Sequence, residues 1–247
     1  MNNRGLTPKE LIIEKVKKLN ELTKWSDEQL EEYRKLYNSF LNSNKKKKKT
    51  EDVHKDKGDK LEDLVNFIFN NSFFLSVYPN KRTSVNEIDQ FVVISDYGLQ
   101  AIHEFNYNIE LLGLNENHLI CECKNYHDKI PATWVGKFNT LLNVSGSTQL
   151  GIIFSYHGLT GQENNWYDAH GLTKIIYKMS NEGEKSFILD FNKSDFEKLL
   201  DINVNIFDII KAKKISLISN ISSHKLLEEN EEASKQIKEI YNEIIKR

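Results

Sequence analysis

A chain of 247 residues is long enough for one large domain with appendages, and 39% hydrophobic residues suffice for a buried core. The 34 Lys+Arg against 36 Asp+Glu leave a formal net charge of −2, so overall charge gives no argument for a nucleic-acid partner and only local patches can. No apolar run is long enough to span a bilayer and the polar Met1-Asn2-Asn3-Arg4 start is no signal peptide, so a cytoplasmic protein with no membrane partner is expected.

The chain opens with two helical patterns. Thr7-Pro8-Lys9-Glu10 offers an N-cap, a proline at the first helical position and a capping-box acid. Leu11, Ile12, Val16, Leu19 and Leu22 follow at helical spacing. Ser26-Asp27-Glu28-Gln29 repeats the start signal before Leu30, Tyr33, Leu36, Tyr37 and Phe40. Residues 1–43 therefore read as an N-terminal helical hairpin whose stripes need the core or another subunit. Residues 44–57, around the run Lys45 to Lys49, read as a lysine-rich linker. The functional alternative is a cationic arm that attracts phosphate.

A helix starting near Gly58 carries Leu61, Leu64, Val65, Ile68 and Phe69. Ser72 to Val77 predicts a strand, extended and ended by Tyr78-Pro79-Asn80-Lys81-Arg82, and Asn86 to Ser95 a second. Residues 96–117, framed by Gly98 and Gly113, have room for a hairpin. After a third strand at His118, Pro131 and Thr133 start a helix through Trp134, Phe138, Leu141 and Leu142. The continuous apolar run Leu150 to Ser155 suits a central strand covered on both faces. Trp166 to Leu172 predicts a helix, Lys174 to Tyr177 and Phe187 to Phe191 short strands, and Asp195 to Leu200 the start of a helix. Residues 58–220 thus form an α/β (α+β) core with a mixed β-sheet flanked by helices. Residues 221–247 close the chain as an amphipathic helix with Leu226, Leu227, Ile237, Ile240, Tyr241, Ile244 and Ile245. It packs on the core or on a second subunit, which makes a homodimer through the terminal helices an expectation.

The third strand, His118-Leu119-Ile120-Cys121-Glu122-Cys123-Lys124-Asn125-Tyr126, organises the rest. Alternation sends Ile120, Glu122 and Lys124 to one face and Leu119, Cys121 and Cys123 to the other. A carboxylate and an ammonium then stand together at the open end of a buried strand, which is costly unless they are paired or bind a metal. The two cysteines are too close for an ordinary disulfide and lack a second Cys pair for zinc, so they read as reduced core residues. Two further acids precede the strand: Asp89 in Asn86-Glu87-Ile88-Asp89-Gln90-Phe91, and Glu62 in Gly58-Asp59-Lys60-Leu61-Glu62. Each has a plainer reading. Glu62 suits a helix start, Asp89 a turn, and Glu122 with Lys124 an ion pair at a sheet edge.

The order of a helix Glu, a strand Asp, Glu-x-Lys on the next strand, a helix and a buried strand resembles the PD-(D/E)xK nuclease superfamily. It looks closest to restriction endonucleases of the Mrr type, which the tail Ser155-Tyr156-His157-Gly158-Leu159-Thr160-Gly161 leading to Ala169 also resembles. The resemblance covers about residues 58–195. It implies a restriction-endonuclease-like fold and metal-dependent hydrolysis of DNA phosphodiester bonds. In that family Asp89, Glu122 and the backbone carbonyl of Cys123 would hold Mg²⁺, with Mn²⁺ as the alternative ion. Lys124 would bind the phosphate or act as a base, Glu62 would orient water, and Lys137 on the following helix would assist. Lys81, Arg82 and Lys129 would contact the DNA backbone. An inert nucleic-acid-binding or assembly protein on this fold, or a Holliday-junction resolvase or repair nuclease, is the alternative.

Overall fold

The computed structural model describes residues 7–45, 51–82, 87–146, 148–163 and 166–228. The helices are α1 (Pro8–Thr23), α2 (Asp27–Lys45), α3 (Glu51–Asn70), α4 (Asp96–Phe105), α5 (Ala132–Val144), α6 (Asp168–Met179), α7 (Lys193–Lys198) and α8 (Ile206–Ser219). The strands are β1 (Leu75–Arg82), β2 (Glu87–Ile94), β3 (His118–Cys123), β4 (Leu150–Phe154) and β5 (Phe187–Phe191). They form one sheet in the order β1-β2-β3-β4-β5. β1, β2 and β3 pair antiparallel, whereas β3, β4 and β5 run parallel, so β3 is the seam between the two halves. No described helix is long and apolar enough to cross a membrane.

Apolar side chains cover both faces of the sheet. One face carries the larger core: Leu119, Cys121, Ile152, Phe154 and Phe191 pack with Tyr33 and Phe40 of α2, Leu61 and Ile68 of α3, and Phe207 and Ile210 of α8. The other carries Ile120, Ile153 and Ile188 against Val135, Phe138 and Leu142 of α5 and Ala169 of α6. β4 and β5 are buried at every position, as a doubly covered parallel strand must be. Gly151 makes this possible on the α5 side. A Cβ there would stand 2.6 Å from Phe138 and 2.8 Å from Leu142, so the helix could not lie so close to the strand. The two cysteines are free and buried, and desolvation pushes both thiols well above their usual range.

Both expected helix starts are present. Thr7 and Glu10 make a reciprocal capping box, and Ser26 and Gln29 exchange the equivalent pair of bonds. The pairing of the helices differs from the expected hairpin. α2 packs along α3 and into the main core, where Tyr33 donates to the Phe196 carbonyl at 2.8 Å. α1 has no buried residue, and leans on Phe105 and Tyr107 through Lys18 and the Lys15 carbonyl.

The expected linker at 44–57 is likewise replaced in its second half, because α3 begins at Glu51. Lys57, read from its charge as linker, is only 6% exposed. Its aliphatic stem extends the apolar stripe that starts at Leu61, which charge counting does not reveal. Lys46 to Lys49 lie outside the described residues.

Three further elements depart from expectation. Residues 96–105 form a helix, capped by the Ser95 side chain on the Gly98 N–H at 2.9 Å, where a hairpin was allowed. Lys174 to Tyr177 lies inside α6 and not in a strand, because the Ile175-Ile176-Tyr177 run splits between an outer and an inner helix face. α8 went unpredicted, although Asn205 and Asp208 form a full capping box. Of the C-terminal helix only residues 223–228 are described as helical, with Leu227 buried; Ile237, Ile240, Tyr241, Ile244 and Ile245 lie outside the described residues.

A buried polar group fastens α8 to the parallel edge. The Lys213 ammonium lies 2.9 Å from Asp195 and 3.9 Å from Glu163. Burial alone would strip its charge, but Asp195, Glu163 and Asp190 outweigh that and raise its pKa. Beside it, burial drives His170 down to about 4, with Lys213, Lys129 and Lys174 adding to the fall and Glu163 opposing it. An unfolded imidazole takes its proton near 6.5. His170 therefore contributes stability that is complete above that pH and is lost as pH falls toward 4. Urea unfolding across this window should show about 3 kcal/mol of loss from this group. His170→Gln should flatten the slope, and an unchanged slope would assign the acid sensitivity to other groups.

Candidate active site

Register builds the site. β2 and β3 align Gln90 with Cys121, and one further step brings Asp89 opposite Glu122 on the adjacent strand. Asp89 Oδ2 accepts the Cys123 N–H at 2.9 Å, so the carboxylate is pinned to the end of β3. Lys124 lies two residues beyond Glu122 and projects to the same face. Its Nζ donates to Asp89 Oδ2 at 3.1 Å and to Glu122 Oε1 at 2.6 Å. The side chains of Lys124, Asp89 and Glu122 are 19%, 18% and 13% exposed, so the ammonium bridges two carboxylates with little help from solvent.

Electrostatics follow from that geometry. Burial would lower the Lys124 pKa, but Glu122 and Asp89, through charge and hydrogen bonds, outweigh it and hold the pKa above the usual lysine value. Glu62 rises from the fourth turn of α3 beside this group. Its carboxyl is pushed up by burial, then by the Asp89 and Asp59 charges, with Lys124 pulling the other way. The loop after β3 is tied to the same helix, since Asn125 Nδ2 donates to the Lys57 carbonyl at 2.8 Å. The parallel side holds the other edge, where the Lys124 N–H donates to the Phe154 carbonyl at 2.8 Å.

Asp89, Glu122 and Lys124 are thus brought together, and Glu62 lies within their field. Lys137 is not part of that contact. Its Nζ lies 4.6 Å from the centroid of the Trp134 ring, on the opening turns of α5. Lys81 sits over Tyr78 on the edge strand β1, at 5.7 Å, and the Arg82 side chain lies outside the described residues. Lys129 is exposed in the loop before the Ile130–Leu159 bridge, and its charge helps to lower the pKa of nearby His157.

Sequence reasoning missed an aromatic pair. Trp134 was read only as a core residue of α5. Its ring centroid is 5.4 Å from Lys124 Nζ and 5.7 Å from that of Tyr126. The signal was available: Tyr126 follows Lys124 by two residues, and Trp134 opens the next helix.

Among the described residues, no three His, Cys, Asp or Glu side chains converge as a ready-made metal cage. The donor set is instead two carboxylates on neighbouring strands, both contacting one nitrogen. Mg²⁺ is commonly held by only one or two carboxylates, with water and substrate phosphate oxygens completing its shell. Two hard oxygen donors spaced around a single cationic atom fit that mode.

Comparison with protein-family models, with curated proteins and with solved structures finds no match.

If the ammonium neutralises both acids, removing it should leave two like charges in a half-dry site. Lys124→Met should cost about 3 kcal/mol of unfolding free energy near neutral pH. The loss should shrink in acid, where carboxylates take up protons and the like-charge repulsion fades. An equal loss at both pH values would mean that the packing of the Lys124 stem, not its charge, carries the stability.

Proposed function

We propose that the chain is a metal-dependent endonuclease that hydrolyses DNA phosphodiester bonds, with a restriction-endonuclease-like core of the PD-(D/E)xK type. The observation that carries this reading is the Lys124 ammonium held between Asp89 and Glu122 at the end of β3. Phosphodiester hydrolysis requires positive charge at the phosphoryl oxygens and an activated water. Mg²⁺ or Mn²⁺ supplies both when bound.

This chain's residues divide the remaining work. Asp89 and Glu122 would hold the ion. The Cys123 carbonyl is the third candidate ligand: its own N–H meets Asp89, and an extended residue turns N–H and C=O to one edge. Lys124, kept protonated by its neighbours, donates to the phosphate and stabilises developing negative charge. The general-base role is the alternative, because a divalent cation bound beside Lys124 would act against that upward shift. Glu62, whose carboxyl takes up a proton more readily than usual, would orient water beside the ion. Lys81, Arg82 and Lys129 are the DNA-backbone contacts of this reading, and Lys137 acts through Trp134 and not on the acids.

One observation favours a second reading. The ammonium already satisfies both carboxylates, as it would in an inert nucleic-acid-binding protein on the same fold. Plasmid DNA incubated with Mg²⁺ or Mn²⁺ separates the two. Wild type should nick or cut it, Glu122→Ala should lose both ion binding and cleavage, and Lys124→Ala should lose cleavage by at least roughly a hundredfold. DNA binding with no cleavage under either ion would establish the inert protein instead.

We also infer a homodimer through α1. Leu11, Ile12 and Val16 are 47%, 63% and 50% exposed along one stripe, a surface suited to a second copy of itself. Light scattering should give twice the chain mass, and Ile12→Lys should return it to that of one chain. A monomeric wild type would refute the dimer.

A further inference from the structure

Tyr126, in ring contact with Trp134 beside Lys124, has no part in the hydrolysis derived above. Tyr126 is 39% exposed, although it stands next to a half-buried site. Its ring is tilted 43° to Trp134 at 5.7 Å, and Trp134 is anchored on the inner cluster beneath α5. Trp134 also takes Lys124 at 5.4 Å and Lys137 at 4.6 Å from its ring centre. The Tyr126 hydroxyl is raised first by burial and then shifted by Lys124, Glu122 and Asp89, so it lies in the field of those groups. A partly open tyrosine ring, braced by a tryptophan that itself carries two ammonium groups, is the chemistry that holds a nucleobase with its phosphates.

Distance restricts which base this is. Lys124 lies 5.4 Å from the Trp134 ring and that ring 5.7 Å from Tyr126, so a phosphate held by Lys124 brings the nucleoside attached to it, or its immediate neighbour, within reach of Tyr126. In an uninterrupted duplex that base is stacked and paired inward and has no free face; it must be unpaired or extruded to stack elsewhere.

We propose that Tyr126, braced by Trp134, is a stacking platform for an unpaired base beside the scissile phosphate, so that the substrate class is nucleic acid with an unpaired or splayed nucleotide at the cleavage position. This rests on the phosphodiesterase reading and deepens it. Tyr126 is a specificity-determining residue, and Trp134 positions it. Stacking tolerates any base, so the preference is for a shape and not for a sequence.

The test uses the full chain and two labelled DNA duplexes, one continuous and one with a single central unpaired base. Binding is measured with Ca²⁺ and cleavage with Mg²⁺ or Mn²⁺. Wild type should bind the interrupted duplex roughly ten- to a hundredfold more tightly than the continuous one. Tyr126→Ala should abolish that ratio, whereas Tyr126→Phe, which keeps the ring, should preserve it and also show that the site remains folded. Equal binding of the two duplexes by wild type, or a ratio unchanged in Tyr126→Ala, overturns the platform. Cleavage of both duplexes at one rate, without any ratio, leaves the nuclease standing and removes only the platform. A binding ratio that depends on Tyr126 with no cleavage under either ion removes the nuclease and retains the platform. Absence of binding to either duplex overturns both.

Discussion

The ammonium of Lys124, held between Asp89 and Glu122, is the contact on which the site depends. It exists only because two strands from different parts of the chain meet in one register. A slip of one residue between β2 and β3 would turn Asp89 to the opposite face and leave Glu122 and Lys124 without it. The bond from the Cys123 N–H to Asp89 fixes that register at its open end. The site therefore sits at the seam of the sheet, where β3 has an antiparallel neighbour on one side and a parallel one on the other. Beyond Cys121 the ladder with β2 gives way, and the freed edge is the space in which charged groups collect.

The rest of the fold holds that seam still. β3 is pressed between α3 with its larger core on one face and α5 on the other. α3 does two things at once: Leu61, Leu64 and Ile68 bury its inner face, while Glu62 and the Lys57 carbonyl meet the loop and acids at the strand end. α5 enters through Trp134, whose ring touches the same ammonium that the acids hold. A second charged group, around Lys213, lies at the parallel edge and bonds α8 to α7 and to the loop carrying Glu163. It is nearly dry, it binds its partners fully into the core, and its role is architectural. The two clusters divide the sheet, one at its seam and open, one at its edge and closed.

The sequence disclosed the site better than its surroundings. Alternation along 118–124 set Glu122 and Lys124 on one face, and β3 keeps that alternation. Asp89 was placed by its position near the start of a Val- and Ile-rich strand, and the strand is there. Elements marked by continuous apolar runs, such as β4 and β5, were equally legible. Legibility failed where a residue's charge concealed its burial. Lys57 and Lys213 are both lysines with at least nine-tenths of their surface covered, and both sit in helical stretches that charge reasoning assigned to a linker or passed over. It failed again at Ile175-Ile176-Tyr177, where β-propensity within a short window outweighed the helical spacing that Ala169, Thr173 and Ile176 impose together. Which helices pair is set by which stripes find complementary surfaces, and no single stripe states that. Hence α2 packs along α3, while α1 meets the core only through partly buried side chains such as Leu19 and Leu22.

The central claim is that Asp89 and Glu122 are the two carboxylates of a divalent-cation site and that Lys124 is its resident cation in the metal-free protein. Crystals soaked in Mn²⁺ and measured for anomalous scattering test this without reliance on activity. The account predicts a peak within bonding distance, about 2–2.5 Å, of oxygens from both carboxylates. Lys124 would give up at least one of its two present contacts. No peak at that position, with Lys124 still bridging both acids under saturating Mn²⁺, would contradict it.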